Sequence, residues 1–79
     1  MRKVRLTESV KARLPIYLHY LKTLPSDEKT TISSASIADG LGLGEVQVRK
    51  DLALVSGAGK PKIGYYLDEL IDHIEKALG

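Results

Sequence analysis

The sequence predicts a mainly α domain with a small β-hairpin, arranged as a winged helix-turn-helix, and three observations predict it. Two short amphipathic segments, 34–41 and 45–55, are separated by a glycine-containing break. A longer periodic segment precedes them. A glycine- and lysine-rich stretch follows them and leads into a last amphipathic helix.

Taken in order, Val10, Leu14, Tyr17, Leu18, Leu21 and Leu24 recur at three- and four-residue spacings, so 7–24 reads as one helix with one apolar face. Pro15 lies inside it. Proline lacks the N–H that would bond the Lys11 carbonyl, so the helix either kinks there or divides into two at Leu14. A polar turn, PSDEK, precedes Thr30, Thr31 and Ile32, a β-branched run that reads as one small strand. Ser33 and Ser34 suit the N-cap of the helix 34–41, in which Ile37, Ala38 and Leu41 share a face. Gly40, Gly42 and Gly44 break the chain, and helical periodicity resumes over 45–55. GAGKPKIGYY then suits a hairpin tip, with Ile63 to Tyr66 as the return strand and an outgoing limb near Ser56 too rich in glycine to place. Leu67, Leu70, Ile71, Ile74 and Leu78 mark the last helix, whose outer face is acidic.

The 79 residues suffice for one domain with a single modest core, spanning residues 1–79. No cysteine is present, so neither a disulfide nor a thiolate metal site assists that core. The absence of a long apolar run or a signal-peptide centre leads to the expectation of a soluble, cytoplasmic protein. The formal net charge is only +2, but it is segregated. Arg2, Lys3, Arg5, Lys11, Arg13 and Lys22 stand against Glu8 alone in the first part of the chain. Arg49, Lys50, Lys60 and Lys62 stand against Asp51 in 49–62, and the remaining stretches are acidic.

On a helical wheel, Val48, Leu52 and Val55 form one face of the segment 45–55 and pack inward. The opposite face collects Val46, Lys50 and Ala53, flanked by Gln47, Arg49 and Leu54. Small apolar groups beside long donors fit the major groove of duplex DNA, where thymine methyls meet the former and base edges or phosphates the latter. Lys60 and Lys62 at the hairpin tip are placed to meet a minor groove or its phosphates. Ser33 and Ser34, at a helix N-terminus, either cap that helix or also hold a phosphate. Arg2, Lys3 and Arg5 read as an arm adding nonspecific attraction or as a plain terminus. A protein-docking surface built on Val46, Ala53 and Leu54 is the competing use of the same face.

Against an enzyme, His19 and His73 have no second ligand or nucleophile at chemical spacing, and Tyr17, Tyr20, Tyr65 and Tyr66 suit core and wing packing.

The segment VQVRKDLALVSGAGKPKIGY, 46–65, resembles the N-terminal DNA-binding domain of the Rex family of bacterial redox-sensing transcriptional repressors. RLPIYLHYL, 13–21, and ISSASIADGLGL, 32–43, match that domain in order and spacing, so the resemblance covers nearly the whole chain. VRKDL alone also resembles DeoR-type repressors, whereas RLP, VRKDL and a GK-to-GY wing together point to Rex. The resemblance implies a homodimeric repressor whose winged helices bind a palindromic operator. It also implies a following Rossmann domain that senses the NADH to NAD ratio and releases DNA when NADH binds. Carried over by position, Gln47, Arg49 and Lys50 become the recognition-helix contacts, and Lys60 and Lys62 the wing contacts. Some relatives carry Arg-Gly where this chain has Pro61 and Lys62. With no GxGxxG turn after a strand, the chain is expected to bind no nicotinamide cofactor itself, NADH and NAD belonging to a sensor domain beyond Gly79.

Overall fold

The computed structural model describes residues 6–25, 27 and 29–79, in the order α1, β1, α2, α3, β2, α4. Helix α1 runs Glu8–Lys22, opened by Thr7, whose side chain accepts from the Val10 amide at 3.2 Å. It is one helix through Pro15 rather than two. Lys11 and Pro15 are both exposed, so the carbonyl that proline leaves unbonded can turn to water. Val10, Leu14, Tyr17 and Leu21 are its buried stripe, while Leu18 and Leu24 are only half-buried. In the turn that follows, Asp27 accepts from the Lys29 amide at 2.7 Å.

Strand β1, Thr31–Ile32, pairs antiparallel with β2, Tyr65–Tyr66, in the register Thr31 to Tyr66 and Ile32 to Tyr65. The strand ahead of the helix-turn-helix is thus bonded to the strand that closes the wing. The wing's own limbs are bridged at Lys60 and Gly64, which exchange backbone bonds of 2.8 Å in both directions. The return strand expected over 63–66 narrows to two residues. No regular outgoing limb forms among the described residues, because α3 continues to Ser56 and glycines follow.

Helix α2, Ser34–Leu41, ends at Gly42, whose φ of 70° lets the chain double back, with the Leu43 amide bonding Ala38 O at 2.9 Å. Helix α3, Glu45–Ser56, starts from Gly44 in ordinary extended backbone. Only Gly42 of the three glycines supplies the turn. Gly40 lies within α2, and a Cβ there would stand 2.2 Å from the Tyr20 hydroxyl, so its smallness serves packing against α1. Helix α4, Leu67–Leu78, contributes Leu67, Leu70 and Ile74 to a core completed by Ile37, Ala38, Val48, Leu52 and Tyr65. Among the described residues no helix is long and apolar enough to cross a membrane.

Candidate nucleic-acid interface

Val48 and Leu52 of α3 are fully buried and Val55 is half-buried, as the wheel requires. The opposite side stands in solvent: Val46 is 58% exposed, and Gln47, Arg49, Lys50 and Ala53 are exposed with it. Leu54 joins them at 38%. An exposed valine and alanine between two cations is an unusual composition for a purely solvated helix face. Arg49 reaches back to Glu45 at 2.7 Å, with both side chains about half exposed. Such a surface pair contributes little and yields readily to a phosphate. Lys50 makes no ion pair among the described residues, which leaves its charge available.

The wheel did not foresee Asp51. It is completely buried, on the edge of the face that holds Val48 and Leu52. Arg13 of α1 donates to it from Nε at 2.6 Å and Nη2 at 3.1 Å, Gln47 donates from Nε2 at 2.8 Å, and the Tyr17 hydroxyl also donates. Burial alone would raise the carboxyl pKa, but the bonds from Arg13, Tyr17 and Gln47 and the Arg13 charge outweigh it and hold the group below its ordinary value. The Tyr17 hydroxyl is pushed above its ordinary pKa, because it is buried and donates a hydrogen bond to a carboxylate. Arg13 is held more firmly charged by its bond to Asp51. Arg13, counted above among the basic residues of the first part of the chain, is therefore committed to an interior ion pair. The sequence did carry a signal: Arg13 and Tyr17 lie four residues apart on the inner side of α1, opposite an aspartate embedded in an apolar arc.

Lys60 and Lys62 are exposed in the wing. Lys60 Nζ lies 5.4 Å from the centre of the Tyr66 ring, and Lys62 holds a left-handed φ of 66°. Ser33 is an N-cap, its hydroxyl accepting from the Ser36 amide at 3.0 Å and donating to Ser36 Oγ at 3.1 Å, while Ser34 is the first residue of α2. Arg2, Lys3 and Arg5 lie outside the described residues. Tyr17 and Tyr65 are core residues, and Tyr20 and Tyr66 are half-buried. His19 is exposed, and His73 Nδ1 lies 2.6 Å from Ser56 Oγ. Among the described residues no group of three or more His, Asp or Glu side chains is placed to hold a metal ion.

Residues 5–53 match the family described as "Putative DNA-binding protein N-terminus". The chain is 43% identical over all 79 residues to the redox-sensing transcriptional repressor Rex of Carboxydothermus hydrogenoformans, covering 38% of that protein. It is 48% identical over 77 residues to Rex of Treponema denticola, covering 98% of this chain and 36% of the relative. The chain thus spans little more than a third of the length of these relatives. A crystal structure of RSP in complex with beta-NAD+ and operator DNA superposes with a TM-score of 0.83 at 34% identity, covering 98% of this chain and 36% of the other.

Proposed function

The chain belongs to this family of N-terminal DNA-binding domains, the domain carried by Rex repressors, and from that premise we propose that it reads an operator in duplex DNA. Helix α3 lies in the major groove with Val46, Gln47, Arg49, Lys50 and Ala53 toward the bases and phosphates. Lys60 and Lys62 of the wing touch the adjacent minor groove, and the N-terminus of α2 at Ser33 and Ser34 approaches a phosphate. The observation that carries this reading is the outer face of α3, where exposed Val46 and Ala53 stand among Arg49 and Lys50 on the side opposite the core. The operator is palindromic and is met by two copies of the chain within a cytoplasmic, homodimeric repressor that is not an enzyme. In that protein a separate C-terminal Rossmann domain responds to the NADH to NAD ratio, and residues 1–79 are the reading domain alone.

Selection of bound duplexes from a random pool tests the proposal. A recovered half-site, with affinity falling at least about tenfold between about 50 and 200 mM salt, is the expected result. Salt-insensitive association without any shared sequence would favour a protein-docking use of the same face. NADH added to this chain is expected to leave its DNA affinity unchanged.

A further inference from the structure

Gln47 is exposed, yet its side chain is not free. Its amide nitrogen is bonded at 2.8 Å to Oδ1 of Asp51, one turn further along α3. An ionised carboxylate only accepts, so the amide must turn its nitrogen inward and leave Oε1 as the atom available on the outer side. Asp51 is in turn immobile: it is fully buried, and Arg13 and Tyr17 of α1 hold it from a helix that belongs to the core. A flexible surface glutamine is thereby tied, through one buried carboxylate, to the rigid part of the domain. An untethered glutamine can clasp adenine with both ends of its amide, Nε2 to N7 and Oε1 from N6.

Resting on the reading of α3 as the helix that enters the groove, we propose that Asp51 is a positioning residue that fixes Gln47 to present Oε1 as a hydrogen-bond acceptor, selecting a base with an exocyclic amino group, adenine or cytosine. The chemistry recognised is the N6 or N4 amino group on the major-groove edge. Arg13 and Tyr17 act one step further back, by holding Asp51.

The test compares duplexes selected from a random pool by the unaltered chain, by Gln47→Met and by Asp51→Asn. Gln47→Met is expected to flatten an adenine or cytosine preference at one half-site position by about tenfold, leaving the other positions and the salt slope unchanged. In Asp51→Asn the new side-chain amide can turn an N–H toward Gln47 and let that amide rotate, so the preference at the same position moves toward guanine or thymine, which offer acceptors. Unchanged preferences in Gln47→Met, or an unshifted preference in Asp51→Asn, overturn the proposal. If the unaltered chain selects no sequence at all, it is the DNA-reading function that fails. Should Asp51→Asn not fold, the unaltered protein decides the tether: slow exchange of the Gln47 side-chain amide protons in the absence of DNA supports it, and exchange as fast as in a free glutamine overturns it.

Discussion

Asp51 and Arg13 are joined by two hydrogen bonds, of 2.6 and 3.1 Å, that tie α3 to α1 through the interior. The aspartate side chain is 1% exposed and the arginine 24%. A carboxylate on the exposed, basic side of α3 would offset the charge of Arg49 and Lys50, whereas here it faces the core and is neutralised there.

Removing one partner of such a buried pair strands the other charge, so Asp51→Ala is expected to cost about 3 kcal/mol in urea unfolding at neutral pH. The pH dependence follows from the depressed carboxyl pKa. As pH falls the unfolded chain binds the proton first, so the contribution is complete above the ordinary carboxylate value of about 4 and is lost as pH falls through the lower folded value. Asp51→Asn should flatten that acid limb; an unaltered limb would show that other carboxylates govern it.

Arg49→Ala combined with Lys50→Ala is expected to abolish operator binding with the melting temperature unchanged, because neither side chain touches the core. Retained sequence-specific binding would place recognition on another surface, and a large drop in Tm would mean the pair supports the fold.

Lys62 holds a left-handed backbone, which costs a non-glycine residue roughly 1 kcal/mol. Lys62→Gly should therefore raise stability, by less than about 1 kcal/mol once the added freedom of the unfolded chain is offset, while weakening DNA binding and its salt dependence. A variant that gains stability and binds DNA as before would remove Lys62 from the interface.

Gly64→Ala should behave in the opposite way. A Cβ there would sit 2.5 Å from the Ile32 carbonyl oxygen, at a φ of 82°, and the atoms it would meet, of Ile32 and Ser33, all belong to the backbone. A loss of at least about 2 kcal/mol, or roughly 10 °C in Tm, is expected from calorimetry.

Much of this was legible from periodicity. The bounds of α2 and α3 follow from Ile37, Ala38, Val48 and Leu52, because apolar residues at helical spacing must bury. The outward set Val46, Arg49, Lys50 and Ala53 follows from the same wheel. What the wheel could not show is a polar residue burying itself with partners 34 and 38 positions away, as Asp51 does with Tyr17 and Arg13. Nor could local rules assign β1 its partner, since two-residue strands are defined by the pairing and not by their composition. Gly40 illustrates a third limit. Grouped with Gly42 and Gly44 it reads as part of a turn, but it lies within α2, where the Tyr20 side chain of α1 packs against it.

The bond between β1 and β2 gives the wing an uneven tolerance to change. At its root, Gly64 is wedged against Ile32; two residues earlier, Lys62 stands in solvent and carries only the strain of its left-handed backbone, which glycine would relieve. Unbranched side chains can therefore be exchanged at the tip at little cost, whereas any side chain added at the base is heavily penalised. The chemistry presented at the wing tip can thus vary one residue at a time without disturbing the strand pairing that carries it.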